Sequence, residues 1–167
     1  MTEKQQRELS PLVRHLLQLA KGDDRGALAE LRRGAGKPPG TEPATFRHVV
    51  PFVPQSDAGL ARSWPYFCVA SLFALNPGIT QEGFGAAYRR LKESDSRNAR
   101  FRALINAHPH DLPKLLRHAI RQLAAAEVRV NWDQLLRDLK AWTAPDRYVQ
   151  RRWATEYWAA DSNEPGE

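Results

Sequence analysis

An all-α protein, built as two helical lobes packed together, is expected on three observations. Apolar residues recur at helical spacing along nearly the whole chain of 167 residues. Gly, Pro and Asn interrupt that spacing where helix caps and turns belong. No alternating apolar–polar run of useful length is present; Glu127 to Val130 comes nearest and is too short to found a sheet.

The elements follow in order. Leu9, Leu12, Val13, Leu16, Leu17 and Ala20 mark a first helix that Gly22 ends. Asp23 or Asp24 caps a second through Leu28 and Leu31, stopped at Gly34. Gly34 to Pro43 is a loop, because its Gly and Pro cannot sustain a helix. A short segment, Thr45 to Val50, leads to an apolar helix over 57–75 that Pro65 kinks or splits. Asn76-Pro77-Gly78 is a turn, and Thr80 can cap a helix to about Lys92. Ser94 and Asp95 precede a helix through Phe101, Leu104 and Ile105. Asp111, with Pro113 in the first turn, starts one that aligns Leu112, Leu115, Leu116, Ala119, Ile120 and Leu123. Asn131 caps another holding Trp132, Leu135, Leu136, Leu139 and Trp142 inward. Pro145-Asp146 opens the last, with Val149, Trp153 and Tyr157 on one face. An N-terminal lobe over 1–78, a C-terminal lobe over 79–160 and a flexible tail from 161 are expected.

Composition narrows the function classes. Hydrophobic residues make up 42% and charged residues 26%, which suits a globular chain and not a disordered one. One cysteine forms no internal disulfide, and no Cys cluster holds a zinc, so a reducing, cytoplasmic setting is expected. Met1 to Leu9 lacks the apolar core of a signal peptide. The longest apolar stretch, Tyr66 to Leu75, is half the roughly 20 residues that cross a bilayer.

Catalytic signatures are absent. There is no Walker A loop, no nucleophile elbow and no H-E-x-x-H pair. Gly83-Phe84-Gly85 has Tyr88 where a dinucleotide fingerprint needs its third Gly, so helix packing explains it better. His108, His110 and Asp111 lack a further convergent ligand, and capping accounts for Asp111. Cys68 reads as a small core residue, and His15 and His118 have no evident acid or base partner. Asp133 and Asp138 read as an exposed helix face. No catalytic residue, metal or cofactor is expected.

Cations, in contrast, organise. Lys and Arg number 25 against 19 Asp and Glu, for a net charge of +6. Residues 89–121 alone hold nine basic and three acidic residues, an excess equal to that of the whole chain. Nineteen of the bases are Arg, the side chain suited to bidentate phosphate contact. Arg25, Arg32 and Arg33 share one helix face; Lys114, Arg117 and Arg121 lie at i, i+3 and i+7; Arg97 and Arg100 are one turn apart. Rows of this kind on rigid helices suit a polyanion backbone. Trp132, Trp142, Trp153 and Tyr157 fall at core spacing, so they pack helices instead of stacking bases, and sequence-specific readout has little support. A helical DNA-binding transcription regulator and a protein–protein adaptor remain open on these residues alone.

The ordered motifs GALAELRRG (Gly26–Gly34), FRHVVPF (Phe46–Phe52), RFRALINA (Arg100–Ala107), LPKLLRHAIRQL (Leu112–Leu123) and VNWDQLLRDLKAW (Val130–Trp142) resemble the CasB family. These are the small subunits of the type I-E CRISPR surveillance complex, Cascade. The resemblance implies a non-enzymatic helical subunit that holds crRNA and target DNA, including the displaced strand. It implies partners in the CasA, CasC, CasD and CasE families and a second copy of itself, with no membrane. It carries over Arg32 and Arg33 from the LRR turn, then Arg97, Arg100 and Arg102, then Lys114, Arg117 and Arg121, as phosphate contacts. Arg25 joins them from its helix face alone.

Overall fold

The structure is a computed structural model that describes residues 1–159; residue 160 and the tail expected from 161 lie outside it. Among the described residues it is all-α, with no strand. The ten helices are α1 (Glu3–Glu8), α2 (Pro11–Lys21), α3 (Arg25–Gly34), α4 (Phe46–Val49), α5 (Leu60–Phe73), α6 (Phe84–Arg89), α7 (Asp95–Asn106), α8 (Leu112–Ala125), α9 (Trp132–Lys140) and α10 (Tyr148–Trp158). Three short 3-10 turns join α3 to α5. No described helix is long and apolar enough to cross a membrane.

Local chemistry sets most boundaries. Ser10 accepts the Val13 N–H, Asp24 that of Ala27, Ser94 that of Arg97 and Asn131 that of Gln134, each satisfying an N–H that the helix start leaves free. α1 adds a capping box between Thr2 and Gln5 ahead of the expected first helix.

Other boundaries differ from expectation. Asp111 stands at the N-cap of α8 but makes no side-chain cap bond; its carboxylate faces His110 instead. Thr80 accepts the Glu82 N–H in a local turn, and α6 begins only at Phe84. α10 begins at Tyr148, after Arg147 in the left-handed region (φ 53°), two residues later than the Pro145-Asp146 signal. α5 runs unbroken through Pro65, whose missing N–H removes a single bond near the helix start. Glu127 turns in the left-handed region (φ 58°), and residues 128–130 pair with no strand among the described residues. Asn76 Nδ2 and the Thr80 N–H donate to the Val128 and Val130 carbonyls, and both valines are buried.

α5 is the centre of the molecule. Tyr66 to Ala74 are buried on every side of it, the pattern of a helix enclosed by others. It packs against α2, α3 and α4 and against α8 and α9. One buried cluster runs from Leu12 to Tyr157 across the Asn76–Thr80 connection, so both halves share a core. α6 and α10 form the most intimate helix pair. Gly83 and Gly85 permit it: a Cβ on Gly85 would overlap the Trp153 carbonyl oxygen, and one on Gly83 the Glu156 carboxylate. Helix packing is thus the role of that Gly pair.

Asp133 and Asp138, expected on an exposed face, are buried. Asp138 accepts from Trp153 Nε1 (2.8 Å) and Gln134 Nε2 (2.9 Å) and pairs with Arg152. Asp133 accepts the Ser10 N–H (2.8 Å) and pairs with Arg137 (2.7 Å). Partners distant in sequence supply the compensation that burying a carboxylate requires. Between α2 and α4, the His15 ring stacks on Phe52 at 4.4 Å and lies 6.3 Å from His48, whose Nε2 is 2.8 Å from Glu30. Cys68 is fully enclosed, and burial pushes its thiol up to about 12.

Candidate nucleic-acid interface

α8 divides its residues cleanly. Leu112, Leu116, Ala119, Ile120 and Leu123 face the core. Lys114, Arg117, His118 and Arg121, at i, i+3, i+4 and i+7, therefore share the outer face. Two concavities flank this row. One, of about 600 Å³, lies against residues 35–39 after α3 and contains Lys114 and Arg117. The other, of about 450 Å³, lies against α7 and contains Arg121 and Arg100 over a floor of Ala103, Leu104, Leu115 and Ala119. The structure thus brings Arg100, Lys114, Arg117 and Arg121 together.

The remaining predicted cations stand elsewhere. Arg97 turns inward: Nη1 donates to the Arg89 carbonyl (2.8 Å) and the Leu91 carbonyl (2.6 Å), and the guanidinium lies 5.1 Å from the Tyr157 ring centroid. It closes the C-terminal end of α6 onto α7, a use of an Arg that helix spacing alone cannot reveal. Arg102 is exposed on the flank of α7 away from Arg100, since residues two apart on a helix do not share a face. Arg25 is exposed at the start of α3 and pairs with Asp23 at 3.3 Å. Arg32 and Arg33 are exposed at the other end of α3. Arg32 Nη1 reaches the Ala74 carbonyl at 3.5 Å. Glu42 is held below the usual carboxylate range, first by its hydrogen bond from Lys37, with the charge of Arg33 adding to it. From there the chain passes against α8, where a Cβ on Gly36 would lie 3.6 Å from Arg117 Nη1.

Carboxylates take up several cations elsewhere, while others such as Arg14, Arg102 and Arg151 take none among the described residues, so what marks the α8 face is that its unpaired cations adjoin one another. Arg47, Arg90, Arg137, Lys140 and Arg152 each take a carboxylate. Among the described residues, Arg100, Lys114, Arg117 and Arg121 take none, and Arg117 Nε is buried without an acceptor. Unneutralised cations side by side raise the local potential and leave donors free for an anion. Lys37 and Trp64, which line the first concavity, were not singled out by the sequence, because loop and core spacing concealed their common location; His118 lines the second.

No described group of three or more His, Cys, Asp or Glu side chains is placed to hold a metal ion. His108 Nδ1 accepts the His110 N–H (3.1 Å), and His110 Nδ1 faces Asp111 (3.4 Å).

Residues 27–158 match the family model of CRISPR-associated protein Cse2. The chain belongs to the Cse2 family. The Cse2 protein of Thermus thermophilus is 35% identical over 141 residues, 83% of this chain and 82% of that protein. The crystal structure of CasB from Thermus thermophilus superposes with a TM-score of 0.77 at 34% identity, covering 91% of this chain and all of that one. A chain from a CRISPR RNA-guided surveillance complex superposes with a TM-score of 0.73 at 26% identity, covering 87% and 88%. The Cse2 match spans α4–α10 and all of the predicted cations except Arg25, which precedes it.

Proposed function

We propose that this Cse2 family chain is a non-catalytic subunit of a CRISPR RNA-guided surveillance complex, and that the outer face of α8 holds nucleic-acid phosphates there without reading sequence. The observation that carries this is the adjacency on and beside α8 of four cations, Arg100, Lys114, Arg117 and Arg121, that take no carboxylate among the described residues. Membership of the complex is supported by the structural likeness to a chain of such an assembly. Trp132, Trp142, Trp153 and Tyr157 are buried in the core and take no part in the α8 row.

The ligand is the crRNA–target DNA R-loop, including its displaced strand. Opening the target exchanges one duplex for another of similar stability, so a few added backbone contacts decide whether the open state persists. Contacts made only to phosphate serve every guide equally. The exposed Phe46, Val50 and Leu60, outside the cationic face, are assigned to contacts with neighbouring subunits or a second copy.

The test is charge reversal at Arg117 or Arg121, read by the affinity of the chain for several unrelated DNA and RNA sequences. A similar loss for every sequence is expected. Loss confined to one preferred duplex would indicate a site-specific regulator. Unchanged nucleic-acid affinity with lost complex assembly would indicate an adaptor.

A further inference from the structure

The groove of about 600 Å³ beside Lys114 and Arg117 has walls unlike the rest of the cationic face. Pro38, Pro39, Pro109 and Pro113 line it together with Trp64 of α5. Trp64 is half-buried and packs on the core from its inner side, and its indole N–H bonds no other described group of the protein. The four prolines have no backbone N–H, so the walls are apolar and offer few donors to a base edge. Lys114 and Arg117 lie on one side of the same groove, with the Arg117 Nε buried and lacking an acceptor. The carboxylate in the lining is that of Asp111, exposed at the rim and facing His110.

We propose that this groove takes one unpaired nucleotide of a single strand, its base against Trp64 and the proline rings, its phosphate on Arg117 and Lys114. The proposal rests on the phosphate-binding reading above and adds the state of the ligand. A base within a duplex has both faces covered by its neighbours, so an aromatic wall can receive only an unstacked one. Walls poor in donors tolerate any base, in keeping with a face that does not read sequence. The volume falls within the usual range for small-ligand sites, and a nucleotide fits it. Proline rings hold the cleft open before binding, so little ordering opposes entry.

The experiment compares full-length protein binding, by fluorescence anisotropy, to oligothymidylate of about 12 nucleotides, to an abasic strand of equal length and to a duplex. The wild-type chain is expected to bind oligothymidylate roughly 5- to 150-fold more tightly than the abasic strand, the range for stacking one base on an aromatic side chain. Trp64→Ala should abolish that preference, with abasic affinity retained, and Trp64→Phe should keep part of it. Arg117→Ala should weaken both strands alike. Equal wild-type affinity for the intact and abasic strands overturns the proposal whatever the variants do. So does a preference that survives Trp64→Ala. If neither strand nor duplex binds, the phosphate-binding reading itself is lost; if both strands bind equally, only the nucleotide groove is.

Discussion

Neutralising one cation on the outer face of α8 has an effect whose size follows from the count of cations there. Arg100, Lys114, Arg117 and Arg121 have no described carboxylate to release before meeting a phosphate. If each holds one phosphate, counterion release gives a slope of log affinity against log salt of about −2.8 on a single strand and about −3.6 on a duplex. Raising salt from about 50 to 200 mM then weakens single-strand binding about 50-fold and duplex binding about 150-fold. Arg121→Ala removes one contact, so the single-strand slope falls to about −2.1 and the loss over the same range to about 20-fold. Arg102→Ala, on the flank of α7 away from this face, removes a charge of the same kind and should leave the slope near −2.8. Anisotropy titrations at several salt concentrations measure all three slopes. Equal slopes for Arg121→Ala and the wild type, or a fall in Arg102→Ala as large as in Arg121→Ala, would refute the assignment. Affinity would then follow net charge instead of this row.

Three further outcomes bear on the fold. Asp138→Ala strands the buried Trp153 indole N–H, while the partly exposed Arg152 keeps Glu156 and solvent; leaving one buried donor unsatisfied costs about 1–3 kcal/mol. In a chain of this size that lowers the calorimetric Tm by about 2–12 °C, with Asp138→Asn losing less. Gly85→Ala drives a methyl into the Trp153 backbone and should cost about 1–3 kcal/mol in urea unfolding, whereas Gly26→Ala, with ordinary room around it, should gain up to about 1 kcal/mol. His15 is held below its usual 6.5 by burial and then by the nearby His48. The unfolded chain therefore binds a proton that the folded one resists, so this contribution is full above 6.5 and declines as pH falls. Glu30, beyond His48, is lowered to about 2 by hydrogen bonds from Arg47 and His48, and its contribution is lost only at much lower pH. Urea midpoints should drop between about pH 7.5 and 5.5, and His15→Phe should flatten that drop.

The helices were legible because their signals are local. Asp24, Ser94 and Asn131 cap within three residues, and the apolar stripe of α8 recurs within one helix. The Lys114–Arg117–Arg121 row was legible for the same reason. What failed depends on distant partners. Asp133 and Asp138 look like surface acids until Ser10 and Trp153 arrive from elsewhere in the chain. Arg97 looks like a surface cation until the end of α6 presents two carbonyls to it. Trp64 reads as another member of an apolar helix, and only the fold sets it beside prolines from two separate loops.

The position of α5 bears on how the chain comes to be made. The ribosome releases its enclosed residues, Tyr66 to Ala74, before α8 and α9, which cover one of its sides, have been synthesised. During that interval one apolar side of α5 stands uncovered on the nascent polypeptide, open to chaperones or to self-association. Completion of α9 conceals it, so a truncation before Trp132 should yield insoluble protein and not a smaller working piece.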